Sequence, residues 1–123
     1  MATILLAIKP DFVEKIFSGI KKYEFRTVRP SKNIDKIFIY ETAPKMRVVG
    51  YVSVTGIICD SPEEMWNITS EYSGISREFF DSYFKNKSVA YAYCLGQVVK
   101  YKTPKKLSEF GVHNAPQSFV YFN

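Results

Sequence analysis

Apolar residues fall along this chain in two rhythms, and each change of rhythm marks an element. Residues 4–8 are apolar throughout, the pattern of a buried strand. Pro10 and Asp11 then suit a first helical turn, where no N–H partner is needed and an acid meets the positive end of the helix. Phe12, Val13, Ile16, Phe17 and Ile20 share one face at a period of about 3.6 residues, with Glu14, Lys15 and Ser18 opposite. Gly19 stands where a left-handed helix end is wanted. The spacing predicts a short amphipathic helix closed by glycine. Strand patterns follow at about 21–28, 36–42 and 46–59, the last interrupted by Gly50 and Gly56, which suit bulges or bends. Ser61-Pro62-Glu63-Glu64 predicts a capped helix start, with Trp66 in the core. Ser76 begins a second helix on which Phe79, Phe80, Tyr83 and Phe84 read as one packing face. Residues 88–102 predict another strand, with Tyr91 and Tyr93 as a core aromatic ladder. A helical turn is expected at 107–110 and a last strand at 118–122.

This order is βα, then several strands, two short helices and two more strands. It predicts one domain over residues 1–123 with a small mixed sheet, mostly antiparallel and curled toward a barrel, rather than a doubly wound parallel sheet. The composition agrees: 46% of residues are hydrophobic and 24% charged, which suits a packed core without disulfide or metal. Cys59 and Cys94 are expected to be buried free thiols. Lone His113 belongs to no zinc-spaced cluster, so neither a metal nor an organic cofactor is expected. The first residues lack a basic stretch before their short apolar run, and no run approaches ~18 apolar residues. The expectation is a cytoplasmic domain without a membrane span.

Charge changes the picture through its distribution more than through its total of +5. Residues 60–81 carry six acids and one base, while the rest of the chain carries 16 bases and six acids. Residues 85–108 hold six lysines and no acid. A basic surface with interleaved tyrosines suits nucleic acid, and solvated lysines kept for solubility are the alternative.

The candidate chemistry lies near residues 9–42. In the strand after the first helix, Tyr23 and Phe25 share one face, and Lys22, Glu24 and Arg26 the other. Glu24 and Arg26 form either an outward ion pair or, in a cleft, an acceptor for a ligand amine beside a bidentate cation. Gly19-x-Lys21-x-x-Glu24-x-Arg26 after a short amphipathic helix resembles the signature of the ASCH family, whose fold is related to the PUA domain. Ile8-Lys9-Pro10, Tyr40-Glu41-Thr42 and Ala115-Pro116-Gln117-Ser118-Phe119 resemble that family in the same order.

The resemblance implies a small PUA-like β-barrel with short helices packed outside and a cleft beside the first helix. It implies an RNA or nucleotide partner, with Lys21, Glu24 and Arg26 lining the cleft. Lys9, Tyr40, Glu41 and Thr42 form a second tier of candidates, and Gln117 and Ser118 a third. In a binding module, Lys21 and Arg26 would meet phosphate and Glu24 a base amine. Some relatives resemble enzymes, namely an amidohydrolase acting on an acetylated cytidine and a ribonuclease. An enzymatic reading would use Lys21 with Glu24 or Glu41. In the amidohydrolase-like members the residue three after the motif lysine is a threonine nucleophile. Here it is Glu24, and a carboxylate substitutes poorly for an activated hydroxyl in acyl transfer.

Overall fold

The computed structural model describes residues 2–29, 33–116 and 119–122. Strand β1 (Ala2–Ile8) leads into helix α1 (Pro10–Ser18), which runs to β2 (Tyr23–Arg26) and β3 (Ile34–Glu41). The long β4 (Arg47–Asp60) precedes α2 (Pro62–Thr69), a 3₁₀ turn (Ser70–Tyr72) and α3 (Arg77–Tyr83). Then come β5 (Ala90–Lys105), a second 3₁₀ turn (Leu107–Phe110) and β6 (Phe119–Phe122). The strands form one sheet in the order β2-β5-β4-β3-β1-β6, curled into a half-barrel. β1 and β3 run parallel, and the remaining pairs are antiparallel. Parallel neighbours need a crossover, and α1 with β2 supplies it.

Helix α1 ends as its composition requires. Gly19 takes φ 84°, and its N–H donates to the Ile16 carbonyl at 3.2 Å. A helix of nine residues is too short to stand alone in water. It is held by Val13 and Ile16, both 2% exposed against Ile4, Leu6, Ile8, Ile37 and Ile39. Burial of two such side chains stabilises by roughly 3–6 kcal/mol. Ile20, expected on that face, is 58% exposed, because the chain has already left the helix at Gly19.

A second cluster gathers Phe25, Met65, Phe80, Phe84, Ala90 and Ala92 where α2 and α3 cover β2 and β5. Trp66 packs against it, half-buried. A third, on the other face of the sheet, joins Leu5, Tyr40 and Val48 under Leu107 and Phe110. Gly50 and Gly56 both fall at register shifts between β4 and β5, as their place in an apolar run suggested. Helices α2 and α3 start at Ser61 and Ser76, whose hydroxyls accept from the Glu64 and Phe79 N–H groups. The thiols depart from expectation in burial: both are free, but Cys59 is exposed and Cys94 half-buried, because each lies where the strand surface is left open.

Candidate functional site

The open edge of the half-barrel creates the site. β2 is an edge strand, and β6 pairs only with Thr3–Leu6 of β1, so Ala7 and Ile8 lie beyond its cover. Between these edges, α1 and α3 enclose a cavity of ≈ 180 Å³ lined by Ala7, Ile8, Lys9, Phe12, Lys21, Glu24, Phe25, Arg26, Ile75, Phe79 and Tyr83. A dry cavity of about 150 Å³ holds one benzene ring, so this volume fits one ring with its substituents.

Lys21 is 2% exposed. Its Nζ donates to the Ser73 carbonyl at 2.8 Å and lies over the Phe25 and Phe12 rings, 4.8 and 5.3 Å from their centroids. Burial pushes the ammonium down from 10.5 to about 8, against the pull of the Glu24 carboxylate. Neighbouring lysines hold the same loop. Lys15 Nζ donates to the Gly74 carbonyl at 3.0 Å, and the Lys22 N–H to that of Tyr72 at 2.8 Å. Gly74 has φ 70°, and a Cβ there would sit 2.6 Å from Lys21 Cβ. Glycine is needed at that point for both reasons.

Glu24 and Arg26 do not form an outward face. Glu24 is 6% exposed, and its Oε2 accepts from Arg26 Nη2 at 2.8 Å. The same Nη2 donates to the Ala7 carbonyl at 3.3 Å, so Arg26 spans from β2 to β1. Glu24 Oε1 and Arg26 Nε are buried without a hydrogen-bond partner. Both side chains line the cavity, and each keeps one buried polar atom unmatched.

The predicted residues separate into groups. Lys9, Lys21, Glu24 and Arg26 line the cavity together. Tyr40 does not join them. It is buried on the opposite face with Leu5 and Val48, because alternation along β3 turns it away from Ile39. Glu41 faces a different hollow, between α1 and β5, with Lys45 and Lys100. Thr42 is half-buried, and its N–H donates to the Ile8 carbonyl at 3.0 Å. Gln117 and Ser118 lie outside the described residues. Among the described residues, no three or more His, Cys, Asp or Glu side chains gather as a metal site. None of the helices is long and apolar enough to cross a membrane among those residues.

Sequence reasoning missed Phe79 and Tyr83. They are 38% and 37% exposed, stacked at 6.4 Å and 12°, and form the α3 side of the cavity. The Tyr83 hydroxyl donates to the Phe25 carbonyl at 3.3 Å, and burial raises its pKa. A signal was available. Four aromatics at 79, 80, 83 and 84 form two i,i+4 pairs turned by about 100°, too wide for one face of so short a helix. Phe80 and Phe84 take the core, which leaves the other pair for the cleft.

A family model, the ASCH domain, matches residues 6–110. The chain is 32% identical to ATP synthase subunit alpha of Ureaplasma parvum over 97% of its own length and 15% of that protein's. It is 28% identical to a large ribosomal subunit protein of the same organism, over 97% of this chain and 39% of that protein. The chain therefore spans well under half of these two relatives. An ASCH domain-containing ribonuclease of Zymomonas mobilis is 27% identical over 74% of the chain and 62% of that protein. The crystal structure of an ASCH protein from Zymomonas mobilis superposes with a TM-score of 0.89 at 24% identity, covering 98% of this chain and 87% of that one. That likeness extends the agreement to the whole fold.

Proposed function

The chain belongs to the ASCH domain family, and from that premise we propose that it is an RNA- or nucleotide-binding module whose cleft seats one nucleobase. One observation carries the reading: Glu24 and Arg26, which line a ring-sized cavity, each keep one buried polar atom, Glu24 Oε1 and Arg26 Nε, without a partner. Unmatched polar atoms of this kind are rare in folded proteins, because each loses its hydration without recompense. Phe12, Phe79 and Tyr83 supply the apolar walls against which a planar base packs. Exposed Lys9 stands at the rim, and the lysines of 85–106 add a sequence-independent attraction to phosphates. The test is binding of a short single-stranded RNA over a salt series. Affinity should fall steeply as salt rises, and Arg26→Ala should weaken it at every salt concentration. A flat salt plot, or Arg26→Ala binding like the parent, refutes the reading.

A second reading, cleavage of RNA or of a modified nucleoside, draws on two observations. One relative is an ASCH domain-containing ribonuclease. Lys21 is also held near 8, which leaves roughly a tenth of its amine neutral and basic at pH 7. Glu24 lies close enough for its charge to act on Lys21 and would carry the proton. Glu41, in the other hollow, is not placed to help. Turnover of RNA or N-acylated cytidine that disappears in Lys21→Ala supports this reading. No product at high protein concentration removes it.

A further inference from the structure

An antiparallel sheet that turns one face to water usually carries polar side chains there. The face of this sheet that holds Tyr40 does not. Alternation along β3 puts Lys36, Phe38 and Tyr40 on it together, and Tyr51 of β4 lies directly across from Phe38. The second 3₁₀ turn covers Tyr40 with Leu107 and Phe110, but Phe38, Tyr51 and Tyr101 stay half-buried beside it. Their rings run in an unbroken row. Phe110 lies 5.2 Å from Phe38, Phe38 5.6 Å from Tyr51, and Tyr51 6.3 Å from Tyr101. A lysine stands over each tyrosine: Lys36 Nζ is 4.6 Å from the Tyr51 centroid, and Lys105 Nζ 4.9 Å from that of Tyr101. Among the described residues neither ammonium pairs with a carboxylate. Glu109, the acid of the adjoining turn, accepts instead from the Lys106 N–H at 2.8 Å. Single apolar side chains on a surface are ordinary, but a connected row of rings with lysines that lack counter-ions is not.

We propose that this face, built from Lys36, Phe38, Tyr51, Tyr101 and Lys105, is a second contact surface for single-stranded RNA. It shares no residue with the lining of the cleft. The choice of RNA as partner rests on the reading above, whereas the surface itself does not depend on the cleft. Cations beside flat rings match the phosphates and bases that alternate along a strand. A lysine ammonium is a compact point charge that meets phosphate without a fixed geometry, so the contact is independent of sequence. Cation–π contacts are weak where water reaches them, and each lysine can leave its ring for a phosphate and uncover that ring for a base. Exposed Lys102 and Lys106 flank Lys105 along the chain and extend the positive field. Other partners fit less well. An acidic peptide would satisfy the lysines and leave the rings open. An apolar protein face would cover the rings and bury two ammoniums without a counter-charge.

The experiment measures binding of a single-stranded RNA of about ten nucleotides by fluorescence anisotropy over a salt series. It compares the parent with Lys36→Gln/Lys105→Gln, Tyr51→Leu and Arg26→Ala, with thermal melting to check each fold. The double lysine variant keeps most of both stems and removes only charge. Loss of two phosphate contacts should flatten the salt slope of log affinity by about 1.4, at roughly 0.7 each on a single strand. Tyr51→Leu keeps an apolar side chain in place and should weaken binding about fivefold or more, as loss of one stacked base does, with the slope retained. An unchanged slope in the lysine variant, or parent-like affinity in folded Tyr51→Leu, overturns the inference. If Tyr51→Leu does not fold, the lysine variant decides alone. The cleft is judged separately by Arg26→Ala. Weakening by Arg26→Ala alone overturns the inference and keeps the cleft, and weakening by the lysine and tyrosine variants alone supports the inference and removes the cleft reading. A parent that binds no single-stranded RNA overturns both.

Discussion

Replacing Lys21 by Met should change how stability depends on pH more clearly than it changes stability at any one pH. Met keeps most of the apolar stem between Phe12 and Phe25 and removes the ammonium. It also strips a donor from the Ser73 carbonyl, at a cost of about 1–3 kcal/mol that is the same at every pH. In the parent, burial lowers the Lys21 pKa from 10.5 to about 8. Below about pH 8 both folded and unfolded chains hold the proton, and the folded state bears the full cost of a buried charge. Between about 8 and 10.5 the folded chain has released the proton and the unfolded chain keeps it. The unfolded state then binds more protons, so stability rises with pH by about 1.4 kcal/mol per pH unit, or roughly 3 kcal/mol across the window. Cys94 and Tyr93 act in the opposite sense. Burial raises both, so their unfolded forms lose protons first and stability falls above about 9 and 10. Parent and variant share those two groups, and their effects cancel in the difference. Urea unfolding of both proteins from about pH 7 to pH 10 measures that difference. The parent should gain about 1 kcal/mol on Lys21→Met by pH 9 and about 2.5 by pH 10. A difference that stays flat, or that falls with pH, refutes the claim that Lys21 is buried as a strained cation.

Gly74→Ala should destabilise by about 1–3 kcal/mol in urea unfolding, since its φ is positive and its Cβ would strike the Lys21 stem; a neutral result would show that the loop relaxes freely. Phe79→Ala should weaken single-stranded RNA binding by roughly 1–3 kcal/mol, the worth of one stacked base, with a smaller loss of stability; equal affinity would remove α3 from the cleft's binding wall. Met65→Ala, at a fully buried position on the inner face of α2, should cost about 2–5 kcal/mol by the same unfolding assay. Cys59 should react with a thiol reagent at pH 7.5–8, and Cys94 markedly more slowly, because burial holds its thiol protonated; equal rates would contradict the packing around β5.

Much of the fold was legible because its signals are local. Pro10, the 12–17 periodicity and Gly19 each state a helix start, a buried stripe and a helix stop, and no distant residue is needed to read them. The same holds for the Ser61 and Ser76 caps and for the glycines at the β4 irregularities. Strand ends were less legible. The predicted strand at 21–28 is only four residues long, because the Lys21 and Lys22 N–H groups go to Lys15 and Tyr72 rather than to a neighbouring strand. The tyrosines of β3 and β5 show where local pattern stops. Tyr40 resembled a site residue and is buried on the far face, whereas Tyr93 resembled core packing and carries an unmatched hydroxyl beside Glu24.

From its sequence alone this protein determined which segments are helix or strand, which family they resemble, and that Lys21, Glu24 and Arg26 belong together within eight residues of Gly19. Those are properties of neighbours along the chain. Only the tertiary structure decided that Glu24 is buried and Arg26 half-buried at an open sheet edge, that Phe79 and Tyr83 line the same cavity, and that a glycine 53 residues away gives Lys21 room. The physical reason is that burial and desolvation depend on what covers a side chain, and the covering elements here, α3 and the loop at 70–76, arrive from beyond β4, far along the chain.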